Sequence, residues 1–507
     1  MGFAQHANEL EMLAHSHFGE LTEAERRLLR AVPRGETACC GPNPGPGGPG
    51  YDPSDADKWS SEREIRAALI SWLCVNTEAV KRVDRAGIQV YGAKIVGRLN
   101  LFFAAIGFPL FFQLCRFDDD IDLKFVTLPA LNLSGSRIRS LIADGVHVRA
   151  DVSLDEGFAC FGEVRVLDAQ IGGSLCCRDG IFKNPGNVAL AADRAEIRGD
   201  VLLDGGFSAE GEVRLPAALV GSQLVCDGGA FNTLNLQGAT IKNGFLWRRI
   251  ANVGASQLDL TNASADVISD DAASWPGKGN LHVDGFVYKR FLNSPMNARE
   301  RLAWVDLQGE FKPQPYRQLA KILRELGDDR GARRILFEME DRRRKEQNHH
   351  WWQRCWDWVL KTTIGYGLMS ERALGWLLLL AAVGGVLSSL AYLGGVIVPN
   401  DRDAYEIFEK RGYPPDYYPK FNPLVYSFEH SFPLITLGVK DHWAPAPTAA
   451  VRLPVLQWSI SQAVSNHLSR VEAVWPFRYW LWFQVPAGWG LATLFVVGLT
   501  GVIKGDS

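Results

Sequence analysis

Residues 162–175 read GEVRVLDAQIGGSL, and this stretch decides how the middle of the 507-residue chain folds. Its first part returns as Gly211-Glu212-Val213-Arg214-Leu215, and its second part matches the frame of Ala93-Lys94-Ile95-Val96-Gly97-Arg98-Leu99. Units of this kind recur roughly every 20–26 residues. Because a single unit cannot bury its own apolar face, successive units must stack on one another. The repeat predicts a parallel β-solenoid over residues 86–291.

A turn signal accompanies the repeat and appears as Asp155-Glu156-Gly157-Phe158, Asp179-Gly180-Ile181-Phe182 and Asp204-Gly205-Gly206-Phe207. This density of glycine excludes amphipathic helices. The flanking regions are helical in pattern: residues 1–85, with a Pro/Gly-rich loop and a helix expected at Glu62–Cys74, and residues 292–371. We expect both regions to cap the solenoid edges, which would otherwise recruit other strands.

Two apolar runs near the end of the chain are long enough to cross a membrane. Ala373–Val398 has 26 residues without a charge and Tyr479–Ile503 has 25, against the ~20 residues that a transmembrane helix needs. They predict a transmembrane region at 372–507, with spans 373–398 and 479–503 and a loop at 399–478. Lys and Arg gather before the first span and Lys504 follows the second. Both termini are therefore expected in the cytoplasm and the loop outside.

Composition and motifs narrow the class of function. The net charge of -3 gives no global field for nucleic acid. Nine cysteines, none of them in the loop, argue against a disulfide framework. No dinucleotide-binding glycine pattern, phosphate loop or hydrolase signature occurs, so neither a catalytic site nor a cofactor nor a metal is predicted. The acidic cluster Asp118-Asp119-Asp120 is interpreted as a solvated corner of the solenoid rather than a cation site.

The loop contains YSFEHSFPLITLGVKDHW at residues 426–443. Within it, TLGVKD at residues 436–441 looks like an altered copy of TVGYGD, the filter sequence of potassium channels. Gly438 keeps one of the two filter glycines, but a ring of Lys440 would repel cations, and Pro433 would shorten a preceding pore helix. A non-selective or anion pore and a surface-lying apolar hairpin both stay open. The candidate pore or re-entrant residues, within 424–443, are Glu429, Thr436, Gly438, Lys440 and Asp441.

The chain resembles a group of bacterial membrane proteins with pentapeptide-like repeats, and the likeness covers nearly all of it. Besides the repeats, it rests on Arg63–Leu73, Val283–Tyr288, Pro313–Ala320, Gly365–Gly367, Asn422–Ser427, Gly488–Trp489 and Gly498–Gly501. The resemblance implies a mixed fold: a right-handed quadrilateral β-helix with helical caps and a two-helix transmembrane region, in the inner (plasma) membrane. The two-span region is also loosely similar to two-transmembrane pore-loop channels. Some relatives of the group are labelled membrane-associated oxidoreductases.

Three functions follow as hypotheses. The first is a cytoplasmic β-helix that acts as a scaffold or sensor and docks a protein partner on its face at the membrane. The second is an oligomeric pore that is not selective for potassium and is gated through the cytoplasmic domain. Two spans per chain cannot enclose a pore alone, so this function requires a homo-oligomer, four-fold if channel-like. The third, an oxidoreductase, rests on the family label alone. The lipid bilayer is an expected partner in each case, and nucleic acid is not.

Overall fold

The computed structural model describes residues 2–41, 50–347, 350–369, 371–432, 435–446 and 474–500. Most of the predicted Pro/Gly-rich loop, and the positions of Pro433 and Lys504, lie outside these residues. The chain divides into two compact units, Met1–Ile335 and Leu336–Ser507.

The first unit is a parallel β-solenoid of about nine turns, as predicted. Its first strands are β1 (Ala38–Cys39), β2 (Glu64–Arg66), β3 (Ile88–Tyr91), β4 (Lys94–Val96), β5 (Leu99–Asn100), β6 (Leu110–Gln113), β7 (Arg116–Phe117), β8 (Ile121–Asp122), β9 (Thr127–Leu128), β10 (Leu131–Asn132), β11 (Arg137–Ile138), β12 (Leu141–Ile142), β13 (His147–Val148), β14 (Val152–Ser153) and β15 (Ala159–Cys160). The remaining strands are β16 (Val164–Arg165), β17 (Gln170–Ile171), β18 (Leu175–Cys176), β19 (Ile181–Ala191), β20 (Glu196–Ile197), β21 (Val201–Leu202), β22 (Ser208–Arg214), β23 (Leu219–Val220), β24 (Leu224–Val225), β25 (Ala230–Asn235), β26 (Thr240–Trp247), β27 (Gln257–Asp259), β28 (Ser264–Asp270), β29 (Leu281–His282) and β30 (Val287–Phe291).

The strands form four parallel ladders, one on each side of the coil. The register of one ladder shows the repeat directly, since its stacked residues are Leu110, Leu131, Val152, Leu175, Val201 and Leu224. Strand β19 pairs with both β15 and β16, and β26 pairs with both β23 and β24. Each of these long strands therefore continues through a corner and joins two ladders into one sheet.

An aromatic stack runs along the inside of the solenoid. It consists of Phe158, Phe182, Phe207, Phe231 and Trp247, with neighbouring ring centroids 5.5, 5.2, 5.3 and 5.3 Å apart. All five side chains are fully buried or nearly so. The first three end the recurring turn sequences, so each of those turns delivers one ring to the core of its coil.

Helices close the first end of the solenoid: α1 (Gly2–Phe18), α2 (Glu23–Ala31), α3 (Ala67–Val75) and α4 (Thr77–Val80). The fully buried Glu25 of α2 accepts hydrogen bonds from Arg66 Nε and Nη2, both at 2.7 Å, which ties α2 to β2. The helix expected at Glu62–Cys74 is wrong over its first residues. Glu64–Arg66 instead pairs with Lys94–Val96 as the first strand of its ladder, and the helix begins at Ala67.

The other end is closed by α5 (Ala298–Val305) and α6 (Pro313–Glu325). Gln314 Oε1 accepts from the Gly285 N–H at 2.9 Å, and Gln318 Nε2 donates to the Tyr288 carbonyl at 2.6 Å. Side chains of α6 thus satisfy backbone groups of the last coil that a further coil would otherwise pair.

The second unit contains the end of α7 (Asp329–Glu346), then α8 (Trp351–Thr363), α9 (Glu371–Leu393), α10 (Arg402–Arg411), α11 (Pro423–Ser431), α12 (Val439–His442) and α13 (Val474–Thr500). Its only described strands, β31 (Ile397–Pro399) and β32 (Trp443–Pro445), pair antiparallel. Glu371–Leu393 and Trp475–Val497 are long and apolar enough to span a membrane. The first predicted span was too long at its end, because Ile397 and Val398 leave the helix and enter β31.

Candidate functional site

Helix α11 lies between the two candidate spans and reaches only half-way along them. Phe421, just before the helix, stacks on Tyr392 near the Leu393 end of α9 at 4.6 Å, and its ring lies 5.4 Å from that of Tyr426. One residue later, Ser427 Oγ donates to the Ala381 carbonyl at 2.8 Å. Ala381 is twelve residues from the end of α9, or ~18 Å of a helix that is ~35 Å long. The chain therefore enters the space between the spans from one end and stops near their middle.

Three buried polar side chains join α11 to α13 at this depth. Gln484 Nε2 lies 2.8 Å from both Ser427 Oγ and Ser431 Oγ, and 3.0 Å from the Ser427 carbonyl. All three side chains are fully buried. Among the described atoms, Gln484 Oε1 and the Ser388 hydroxyl of α9 have no hydrogen-bond partner. A buried amide inside an apolar helix is costly unless it is bonded, so Gln484 fixes the position of α11.

Small residues make this close approach geometrically feasible. A Cβ on Gly384 would lie 2.3 Å from Ser427 Oγ, and one on Gly385 would lie 2.8 Å from Leu424 Cδ2. On α13, a Cβ on Gly488 would lie 2.4 Å from the Ser431 carbonyl oxygen. Small residues on a transmembrane helix allow a neighbouring helix to approach closely. Here the element that approaches is the half-length helix α11 together with α13.

Gly488→Ala is expected to destabilise the helical unit by about 1–3 kcal/mol, because backbone atoms of α11 must move to admit the methyl group. Gly490→Ala, two residues away on the same helix, meets nothing within 4 Å and serves as the matched control. Thermal inactivation of the detergent-solubilised chain, followed by static light scattering, compares the two variants. Equal midpoints for both would contradict the described contact between α11 and α13.

The carboxylate of Glu429 organises the segment after α11. Glu429 is 2% exposed. Its Oε1 accepts from the backbone N–H groups of Leu437 and Gly438, the latter at 2.5 Å, and its Oε2 accepts from the Lys440 N–H at 2.7 Å. Three backbone N–H donors converge on this carboxylate and stabilise its charged form. Glu429 thus acts as a charged clamp on the loop.

The structure places the other predicted residues on this clamped loop. Thr436 and Asp441 are exposed, and Lys440 is half-buried. Gly438 has a φ of 89°, the left-handed region that favours glycine, and it caps the short helix α12. The segment from Val439 to His442 is therefore a helical turn whose first N–H groups face Glu429.

The loop then returns to the end where α11 began. Strand β32 pairs with β31 directly after α9, and the Asn400 N–H donates to the His442 carbonyl at 2.8 Å. Trp443 lies at the centre of this end, with its Nε1 3.0 Å from the Pro419 carbonyl. The chain consequently passes from the first span into the half-length helix α11 and the clamped loop, which returns to the end where α11 began. The second span follows. Residues 456–475, whose apolar positions in the sequence predict an amphipathic helix, lie almost wholly outside the described residues.

A groove of about 690 Å³ opens beside α11 at the same end. Its lining includes His430, Pro445, Arg478, Leu481, Trp482 and Val485. Arg478 Nη2 donates to the Ala446 carbonyl at 3.0 Å. Sequence reasoning did not point to this groove, nor to Ser427, Ser431 and Gln484.

The acidic cluster of the solenoid is held by ion pairs and hydrogen bonds between coils. Asp118 contacts Lys94 at 3.3 Å, and Asp120 accepts from Ser140 Oγ at 2.7 Å. Across the described residues, no group of three or more His, Cys, Asp or Glu side chains has the geometry of a metal site. All nine cysteines are free, and burial raises the pKa of Cys40, Cys74, Cys115 and Cys160 to about 12.

Comparison of the chain with protein-family models, with curated proteins and with solved structures gives no match.

Proposed function

We propose that the protein is an oligomeric, pore-forming membrane protein that carries its β-solenoid in the cytoplasm. The supporting observation is the course of α11, which descends to the middle of α9 and α13 while the Glu429-clamped loop returns to the same end. A non-spanning segment at membrane depth is tolerated where it is buried in protein or lines a water-filled cavity. Such a loop is the element from which ion pathways are built.

The surface of the loop fits assembly around a shared axis. Ile435, Thr436, Leu437 and Asp441 are exposed in the single chain. An oligomer with rotational symmetry would bring the copies of this loop together. Lys440 is the cation of the loop, and a ring of lysines disfavours potassium. The pathway is therefore proposed to be non-selective or to favour anions.

Two measurements test this proposal. The oligomeric state in detergent comes first, because a monomer excludes a shared pore. Single-channel recording from purified protein in planar bilayers then looks for current, and Lys440→Glu is expected to shift the reversal potential toward cations. A real current that Lys440→Glu leaves unchanged would show that this loop does not line the pathway.

Glu429→Gln is expected to abolish or strongly reduce the current while leaving the oligomer intact. A neutral amide offers one acceptor oxygen, so it cannot satisfy the three backbone N–H donors that the carboxylate holds. The control is Glu406→Gln on α10, whose side chain is 59% exposed. Unaltered conductance in Glu429→Gln would argue that the loop needs no clamp.

The solenoid is proposed, as a second candidate function, to be a scaffold that docks a cytoplasmic protein. The observation that favours it is an exposed aromatic cluster at one corner, made of Phe102, Phe103 and Phe125, with Phe103 and Phe125 stacked at 4.9 Å. Both of these residues have φ near 57°, the conformation that recurs at the turns of the solenoid, for example at Asp168 and Arg194, so equivalent turns of successive coils place the two rings side by side. Cross-linking in native membranes should capture a different protein, and Phe103→Ser with Phe125→Ser should lose it. Adducts between copies of this chain alone would count against docking.

A further inference from the structure

The polar face of helix α8 packs against the end of α7. Asp357 pairs with Arg344, and Lys361 Nζ lies 2.7 Å from Asp341 Oδ1. Asp341 also receives Lys345 at 2.7 Å and the Tyr366 hydroxyl at 3.1 Å. The charged side of α8 is thus packed against protein. In a water-soluble protein, the charged side of a surface helix faces the solvent instead.

The opposite face of α8 is aromatic and uncovered. The exposed fractions of Trp351, Trp352, Trp356 and Trp358 are 78%, 57%, 57% and 66%, and Cys355 is exposed among them. At ~100° per residue these positions fall within an arc of ~160°, and Asp357 and Lys361 fall outside it. Among the described residues, nothing buries this face. In water, four exposed indoles on one helix would form an apolar patch that favours association with another apolar surface.

A short elbow links α8 to the first candidate span. Gly365, Tyr366 and Gly367 have φ values of 53°, 58° and 87°. The left-handed Tyr366 is held through its hydroxyl by Asp341, and its ring lies 4.7 Å below the Arg344 guanidinium. Past the elbow, Trp376 Nε1 of α9 donates to the Thr362 carbonyl at 3.0 Å. The first turns of α9 are therefore tied directly to the end of α8.

We propose that α8 is an interfacial helix that lies on a lipid bilayer, with its tryptophan face inserted at the boundary between headgroups and acyl chains. The indole ring is the side chain that best suits this boundary, because its body is apolar and its N–H reaches water or a headgroup. The hydrogen bond from Trp376 of α9 to Thr362 of α8 holds α8 beside the start of the first candidate span, and therefore close to the bilayer surface. With its polar face held by α7, the helix presents only its apolar face to the lipid. This inference rests on the proposed membrane location of the second unit.

Spin labels on the full chain in lipid nanodiscs test the proposal. The native Cys355 carries one label, in a Cys39→Ser, Cys176→Ser background that removes the two half-exposed thiols. Arg354→Cys, also exposed and ~100° around α8 from Cys355, outside the tryptophan arc, and Val386→Cys on the outer surface of α9 carry the comparison labels, each in a background that also contains Cys355→Ser. Accessibility to oxygen reports lipid exposure, and accessibility to a water-soluble nickel chelate reports exposure to water.

The expected result is a ratio of oxygen to nickel accessibility that is several-fold higher at Cys355 than at Arg354→Cys. Nickel-dominated accessibility at Cys355 with oxygen-dominated accessibility at Val386→Cys would overturn the interfacial helix and leave the membrane proposal standing. Nickel dominance at both positions would overturn both. Low accessibility to both reagents at Cys355 would mean that protein covers the tryptophan face, which also overturns the proposal.

Discussion

Replacing Phe207 by alanine is expected to lower the free energy of unfolding of the solenoid by about 3–5 kcal/mol. Phe207 is fully buried at the centre of the aromatic stack, between Phe182 at 5.2 Å and Phe231 at 5.3 Å. Each coil contacts only its neighbours, so removing one ring weakens two interfaces at once. Urea unfolding of the detergent-solubilised chain, followed by far-ultraviolet circular dichroism, measures the loss.

Phe161→Ala is the matched control for this experiment. Phe161 is 46% exposed on the same solenoid, and its contact is the Arg137 guanidinium 4.6 Å above its ring. An exposed cation–π pair contributes about 0.5–1 kcal/mol, so this variant should lose no more than that. A similar loss in both variants would mean that the stack adds nothing beyond ordinary surface packing.

Arg301→Ala is expected to destabilise the closing end of the solenoid by about 3–5 kcal/mol, because it leaves the Asp270 carboxylate buried without its cation. The Arg301 side chain is fully buried, and its two terminal nitrogens lie 2.8 and 2.7 Å from the two carboxylate oxygens. The guanidinium also stacks 3.7 Å from the Phe291 ring centroid. The same urea titration, read by protection of the last coils from proteolysis, measures the effect.

Two companions make the result interpretable. Arg299→Ala removes an exposed arginine from the same helix and should change stability by less than about 0.5 kcal/mol. Arg301→Met combined with Asp270→Leu removes both charges, and apolar replacement of a buried pair is often close to neutral. If the double variant is as unstable as Arg301→Ala, the loss comes from packing rather than from the stranded carboxylate.

The solenoid was predictable because its physics is repetitive. Each coil repeats the same inward aliphatic positions and the same turn. Val164, Val213 and their equivalents therefore indicate the ladders at several places in the sequence. Single events were harder to predict. Glu64–Arg66 has the composition of a helix start, yet it forms a strand because it pairs in parallel with Lys94–Val96 at the edge of the ladder. Tertiary pairing overrides local propensity in such a place.

The candidate site was predictable in position but not in construction. The resemblance of residues 436–441 to a filter drew attention to this loop, and a helix before it was expected, where the structure has α11. The clamp by Glu429 could not be predicted, because the three N–H groups it binds are backbone and leave no trace in composition. Gln484 is recognisable in the sequence as a single amide in an apolar run. Such residues mark functional or packing contacts in membrane helices.

The antiparallel pairing of Ile397–Pro399 with Trp443–Pro445 has a consequence for a cut chain. The pairing closes residues 400–442 into a loop whose two ends are held together by backbone hydrogen bonds and by the ring cluster around Trp443. Tyr417, within this loop, is 73% exposed. A protease that cleaves there would produce two fragments that remain associated. Helix α11 would therefore keep its position after the peptide bond is lost.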